Sequence, residues 1–238
     1  MRRIGLIGGM SWESTAIYYK LINEGVRARL GGLASADIAL RSLDFRDVVA
    51  LQKADRWDEA ARLLSASACD LKASGADALL ICTNTMHIVA PEVTSACDLP
   101  LIDIIDATAQ AIRARACRRP LLLATRYTME HGFYAERMQR HGIAVQVPDA
   151  ADRTICHGII FDELCQGVVT PRSRQALYDM ALRGRAGGAD SVILGCTELG
   201  LSIAPDALPL PGFDSTVIHA QAAVDFALAG EDLRQLAS

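Results

Sequence analysis

Lysine is scarce in this sequence. Only Lys20, Lys53 and Lys72 occur in 238 residues, all in the first third and each within a stretch that reads as helix. A pyridoxal-phosphate enzyme needs a lysine in its site to hold the cofactor as a Schiff base. None of the three is well placed for that, so no cofactor is expected. The chain also lacks a C-x-x-C pair and an H-x-x-x-H pair, which leaves no metal-ligand spacing and no expected metal. A basic excess is missing as well. The net charge of -4 and pI near 5.7 argue against nucleic acid as the main partner. No apolar run approaches the roughly 18 residues of a membrane span, so no membrane partner is expected. Gly8-Gly9 superficially suggests a phosphate loop, but G-x-G-x-x-G and a Walker lysine are both absent. The start, Met1-Arg2-Arg3, has the charge of a signal peptide, yet the apolar run before the glycines is too short. It reads as a first β-strand, and a cytoplasmic protein is expected.

What remains is ordinary for a globular chain: 51% hydrophobic and 22% charged residues, enough length for one large domain or two small ones. Seven cysteines without a secretion signal point to reduced thiols. Cys69, Cys97, Cys117, Cys156 and Cys165 sit among apolar or helical neighbours, where a free cysteine acts as a small hydrophobe.

Short apolar runs alternate with longer amphipathic stretches, the pattern of βαβ units around a parallel sheet. The runs predict strands at residues 3–7, 38–43, 78–81, 101–104, 120–124, 144–147, 191–194 and 208–211. The amphipathic stretches predict helices at 14–29, 55–74, 88–96, 107–116, 129–141, 158–167, 171–184 and 217–229. Thr170 before Pro171 fits an N-cap followed by a first helical turn. Beneath this lies a repeat. Gly75-Ala76-Asp77 leads through an apolar run into Cys82-Thr83-Asn84, and Gly188-Ala189-Asp190 leads through another into Cys196-Thr197-Glu198. Leu99-Pro100-Leu101 pairs with Leu208-Pro209-Leu210, and Asp106-Ala107-Thr108 with Asp214-Ser215-Thr216, at a nearly constant offset. The expected fold class is α/β: two pseudo-symmetric three-layer domains with mainly parallel sheets and an active site in the cleft between them. The first domain is expected at 1–98 plus 212–238, the second at 99–211.

Parallel α/β sheets carry their sites at the carboxyl ends of the strands. Cys82 and Cys196 both stand just there. Inverting a carbon centre in place takes two opposed groups, one deprotonated and one protonated. Cysteine suits this chemistry because a helix N-terminus or an electropositive loop lowers its pKa. Thr83, Asn84 and Thr85 after the first cysteine, and Thr197 after the second, can hold a carboxylate; Thr125 and Thr128 can add donors. The same residue types cap helices. Glu198 and His87 are close enough in sequence to tune a neighbouring thiol, and are equally at home at helix starts. Gly9 is expected to let backbone approach a ligand closely, with Met10 and Trp12 forming a wall or simply packing.

Gly5-Leu6-Ile7-Gly8-Gly9-Met10-Ser11-Trp12, Cys82-Thr83-Asn84-Thr85-Met86-His87, Gly195-Cys196-Thr197-Glu198-Leu199 and Ile218-His219-Ala220 resemble the aspartate/glutamate racemase family over nearly the whole chain. The resemblance implies a pyridoxal-independent two-base mechanism and a homodimer. By it, Cys82 takes the proton from a D-amino acid and Cys196 from the L-enantiomer. Arg46 is similar to the arginine that holds the side-chain carboxylate in aspartate-selective relatives, and Gln52 is placed to help select the side chain. Those relatives also carry a lysine near Asp162–Gly167, where this chain has Gln166. An amide cannot neutralise a second negative charge. The resemblance still makes aspartate or glutamate the expected substrate, with neutral or polar amino acids as the alternative. Hydantoin racemisation, diacid isomerisation and malonate-type decarboxylation are further chemistries of similar scaffolds, and the last needs only one cysteine. A non-catalytic amino-acid-binding protein is the alternative from another class.

Overall fold

The first apolar run, Ile4–Gly8, forms strand β1 with all five residues buried. A strand covered on both faces reads as a continuous apolar run, which is why alternation is absent. In the computed structural model, which describes residues 1–229, β1 is the centre of a parallel sheet ordered β2-β1-β3, with β2 at Ile38–Ser42 and β3 at Ala78–Ile81. Leu101 adds a single parallel bridge to Leu79. Around the sheet run α1 (Trp12–Leu30), α2 (Phe45–Lys53), α3 (Trp57–Ala73), a 3-10 turn at Thr85–Val89 and α4 (Ala90–Cys97). Successive strand residues face opposite sides. Ile7, Leu79 and Ile81 pack with Leu64, Ala68 and Leu71 of α3. Ile4, Leu6, Leu80 and Cys82 pack on the other side, with Tyr18 and Ile22 of α1.

The second sheet is built the same way. Strand β4 (Pro120–Ala124) pairs in parallel with β5 (Ser191–Gly195), and β5 with β6 (Gly212–Asp214). Gln146 bridges to Leu121 on the outer side of β4. Its helices are α5 (Ile104–Ala114), α6 (Arg126–Glu130), α7 (Phe133–Arg140), α8 (Ala150–Gly158), α9 (Pro171–Ala186) and α10 (Leu199–Ser202). A π-turn at Ile159–Glu163 and a 3-10 turn at Leu164–Gln166 follow α8. Helix α11 (Ser215–Leu228) closes the described chain; from His219 on, its Ala220, Ala223, Val224 and Ala227 pack with the first sheet's β1 and α1 cluster.

Contacts divide the chain into Met1–Asp103 with the part from His219 onward, and Ile104–Ile218. These boundaries differ by a few residues from those expected at 98/99 and 211/212. Leu101 is tied to Leu79, which keeps 99–103 with the first unit, while β6 is paired to β5, which keeps 212–214 with the second.

The repeated Gly-Ala-Asp has a structural reason in both units. Gly75 (φ 84°) and Gly188 (φ 89°) take the left-handed turn that ends the preceding helix. Asp77 then accepts from the backbone N–H of Arg3 at 2.7 Å, and Asp190 from those of Arg118 and Arg119 at 2.6 and 2.9 Å. Each aspartate pins the start of the neighbouring strand. The match of Asp106 with Asp214 does not extend this far. Asp106 lies within α5 and binds Arg137 and His141, whereas Asp214 caps α11 through the N–H groups of Thr216 and Val217.

Several elements depart from expectation. The run 208–211 is not a strand; Pro209 and Pro211 cannot donate to a ladder, and the sheet uses Gly212–Asp214 instead. Residues 101–104 and 144–147 supply single bridges only. The expected helix 129–141 is broken at Gly132 (φ 80°) into α6 and α7. Helix 158–167 is a π-turn and a 3-10 turn after an unanticipated α8. Helix α2, capped by Asp44, was also unanticipated. Thr170 does cap α9, accepting from Ser173 N–H at 3.1 Å with Pro171 in the first turn.

Candidate active site

Cys82 follows β3 directly, and its N–H continues the ladder to Ile7 O at 2.9 Å. Its side chain is fully buried, and that burial pushes the thiol far above its ordinary range. The loop then turns tightly, with Thr83 N–H donating to Ile81 O at 2.8 Å. Thr83 is half-buried, Asn84 and Thr85 are buried, and all three stand on this loop beside the thiol in sequence.

The loop is tied down from below by histidine. Nδ1 of His87 lies 2.8 Å from Thr83 O and must donate, because a carbonyl only accepts. Nε2 of His219 likewise donates to Ile102 O at 2.6 Å, so Nδ1 of the neutral ring accepts from the Tyr18 hydroxyl at 2.8 Å. The two imidazole centroids are 5.8 Å apart. Burial, reinforced by the charge of His87, holds His219 down to about 3. Sequence reasoning named His219 only within a resemblance and did not see this network. A histidine and a tyrosine facing inward from otherwise apolar helix stripes were the available signal.

Met10 is buried in the cluster that also holds Ile7, Val48 and Met86, and the Gln52 amide donates to Met86 Sδ at 3.1 Å. Arg46 stands at the surface, 84% exposed, paired with Asp44 at 3.1 Å and Asp47 at 3.9 Å. Trp12 is 67% exposed.

The glycine pair is packed tightly against the protein's own chain. A Cβ on Gly9, at φ 83°, would collide with the backbone O and N of Leu43, and one on Gly8 would strike the Thr15 side chain. The close approach is to the protein's own chain: Leu43 N–H donates to Gly8 O, and Gly9 N–H to Thr15 Oγ1 at 2.8 Å. Gly9→Ala is therefore expected to destabilise by at least about 2 kcal/mol, seen as a lowered urea midpoint. Gly32→Ala, also at positive φ (56°) but with open space around it, is the control and should cost only the backbone strain of about 1 kcal/mol. Equal costs for the two would contradict the steric account.

In the second unit, Thr125 caps α6, its hydroxyl accepting from Thr128 N–H at 3.3 Å and lying 3.1 Å from the Thr128 hydroxyl. Both are buried. The capping role is thus directly visible for this pair. Gln166 is exposed in the 3-10 turn, and Cys165 beside it packs partly against the core.

Cys196 follows β5 as Cys82 follows β3. Its Sγ lies 2.9 Å from Glu198 Oε2, and the Thr197 hydroxyl donates to the same oxygen at 2.6 Å. All three residues are buried. Burial first, then the Glu198 charge and Cys165, push the Cys196 thiol well up. Sequence reasoning expected thiols lowered by helix N-termini. In both loops burial pushes the thiol up instead, and the helix after Cys196 is only the four residues of α10.

Two units, each with a parallel sheet and a buried cysteine just beyond the carboxyl end of one of its strands, define an α/β protein with paired thiol loops. Comparison with known proteins gives the family. The profile of the Asp/Glu/hydantoin racemases matches residues 7–223, and this chain belongs to that family. A solved structure of a candidate Asp/Glu racemase from Yersinia pestis is 48% identical, with a TM-score of 0.89 over 96% of this chain and 100% of that one. An aspartate racemase homologue from Pyrococcus horikoshii is 32% identical, with a TM-score of 0.83 over 95% and 99% of the two chains. A broad-specificity amino-acid racemase from Bacillus subtilis is 24% identical over 232 residues, 95% of this chain and 98% of that protein. Among the described residues, no helix is long and apolar enough to cross a membrane.

Proposed function

We propose that this chain is a cofactor-independent amino-acid racemase in which Cys82 and Cys196 work on opposite faces of one α-carbon. The observation that carries this reading is the equivalence of the two thiols, each following a parallel strand with a neighbour on either side: β3 between β1 and the Leu101 bridge, β5 between β4 and β6. One thiolate removes the α-proton; the thiol opposite returns a proton to the other face, and the roles exchange in reverse. Cys82 takes the proton of the D-enantiomer and Cys196 that of the L-enantiomer. Thr83, Asn84, Thr85 and Thr197, with Thr125 and Thr128, supply the donors for the α-carboxylate, on which charge accumulates as the proton leaves. Met10 and Gln52 shape the side-chain wall. The working protein is a cytoplasmic homodimer, which light scattering on the purified protein tests.

For the side chain we favour broad specificity for polar and neutral amino acids. Two features support it: Arg46 is engaged with Asp44 and Asp47 at the surface, and no lysine follows Lys72 to neutralise a second carboxylate. The printed activity of the Bacillus subtilis relative agrees. Restriction to aspartate or glutamate is the second reading, favoured by the Yersinia pestis and Pyrococcus horikoshii relatives and by the weakness of exposed ion pairs, which leaves Arg46 recruitable. Arg46→Gln decides. Broad specificity expects kcat/KM for aspartate and for a neutral polar amino acid to move together, by less than about fivefold. A loss of about 10-fold or more on aspartate and glutamate alone establishes the acid-restricted reading.

A further inference from the structure

The two thiols do not have the same company. Cys82 lies in an apolar cluster with Tyr18 and Leu80, and Tyr18 in turn binds the neutral His219 ring. Cys196 is in hydrogen-bond contact with a buried carboxylate, Sγ to Glu198 Oε2 at 2.9 Å. Two anions at that separation in a desolvated site repel strongly, so thiolate and carboxylate cannot coexist there at modest cost. The Thr197 hydroxyl donates to the same oxygen at 2.6 Å, which favours the charged carboxylate at rest.

We propose that Cys196 and Glu198 share a single proton, and that Glu198 is the base that generates the Cys196 thiolate. This rests on the reading of Cys196 as an acid/base in racemisation and adds a residue to it. At rest the thiol S–H is donated to the Glu198 carboxylate. For removal of the L-enantiomer's α-proton, that S–H bond breaks and the proton passes to Glu198, giving thiolate and neutral carboxyl. The thiolate then takes the α-proton as the Cys82 thiol gives up its own, and the proton left on Glu198 returns through solvent to the Cys82 thiolate, which restores the resting pair. The pair carries one negative charge before and after the first transfer, so the buried site never holds two. The geometry suits the exchange: Leu199 N–H donates to Cys196 O at 3.1 Å and Leu201 N–H to Glu198 O at 3.0 Å, which fixes the turn between thiol and carboxylate.

The surroundings push in the same direction. Cys165, on the 3-10 turn packed against α10, disfavours a thiolate at Cys196 further. Asp214 of β6 stands against Gly200 of α10, its carboxyl raised by its own burial. Arg174 of α9 brings a cation only to the far end of α10, where its Nε donates to Ser202 O at 2.7 Å.

A shared proton has a kinetic signature that a merely structural glutamate lacks. The resting pair and its reactive form contain the same number of protons, so their ratio does not depend on pH. Wild-type kcat/KM should be flat between about pH 6 and about pH 8. In Glu198→Gln the thiol proton must go to solvent, so kcat/KM should fall about 100-fold at neutral pH and then rise about tenfold per pH unit. Both enantiomers must show the same change, since a racemase has an equilibrium constant of one. Glu198→Asp, which keeps the carboxylate, should keep the flat profile at a lower rate.

The deciding measurement does not need turnover. Cys196 alkylation by iodoacetamide is followed by peptide mass spectrometry across the same pH range, in the wild type and both variants. The proposal expects a flat limb in the wild type and in Glu198→Asp, and a tenfold-per-unit slope in folded Glu198→Gln. A tenfold-per-unit slope in the wild type overturns it, whether or not Glu198→Gln folds. If the wild type exchanges no amino-acid α-proton, the racemase reading fails while the alkylation profile still decides the shared proton.

Discussion

Alanine at Cys82 or at Cys196 is expected to lower racemisation by at least about 10³-fold in both directions, with the fold intact. The size follows from the proposed chemistry, in which one thiol takes a proton and the other returns it, so removing either halts inversion. For the same reason the double variant should be no worse than either single one, because groups acting as a unit are strongly non-additive. Neither change should unfold the protein. Cys82 loses one sulfur from a cluster with Ile4, Leu6 and Tyr18, a cost of about 1 kcal/mol. Cys196→Ala leaves Glu198 its bond from Thr197. Chiral chromatography of aspartate, glutamate and a neutral set checks the result. A folded single variant that inverts its best substrate within tenfold of wild type would remove that cysteine from the mechanism.

The second large effect concerns stability. His219 is fully buried, neutral and held down to about 3, whereas in the unfolded chain it titrates near 6.5. Between these values the unfolded state binds a proton that the folded state refuses. Stability contributed by neutral His219 is thus complete above about pH 6.5 and is lost as pH falls toward 3, at up to about 1.4 kcal/mol per unit. From pH 6.5 to pH 5, above the range where the ion-paired carboxylates titrate, this amounts to about 1.5 kcal/mol. His219→Gln retains an acceptor for Tyr18 and a donor for Ile102 O but cannot titrate. Urea denaturation at the two pH values should show the wild type losing about 1.5 kcal/mol more than the variant. Identical losses would mean that the ring admits a proton without opening the first unit. Because His87 holds the Thr83 carbonyl, disorder in this network should also loosen the Cys82 loop.

The elements most legible in the sequence are those whose cause is local. Strands β1, β3, β4 and β5 are buried on both faces and therefore read as short unbroken apolar runs. The repeat was legible because the same turn and the same strand-pinning aspartate are needed twice. Strand β6 was not, because Leu208 to Pro211 looks like an apolar strand until the prolines' missing donors are counted, and the real strand includes a glycine and an aspartate. The helical period through 129–141 also hid a break that only the positive φ of Gly132 reveals.

At the candidate site, the place of both cysteines, each just after a strand, was readable from the repeat. Their burial and the Tyr18–His219 contact depend on neighbours distant in sequence, which no local pattern encodes, whereas the sulfur–carboxylate contact spans two residues and is open to a local reading. Arg46, singled out for substrate, pairs at the surface with Asp44 and Asp47, its own near neighbours.

Proton exchange at the α-carbon tests the central claim most directly. Purified protein, dialysed free of pyridoxal phosphate and with its thiols reduced, is incubated in D2O with single enantiomers of aspartate, glutamate and neutral amino acids, and followed by NMR and chiral analysis. The account predicts that solvent deuterium enters the α-position as the opposite enantiomer forms, and that Cys82→Ala and Cys196→Ala abolish the inversion. Folded, reduced protein that exchanges no α-proton from any of these amino acids would contradict it.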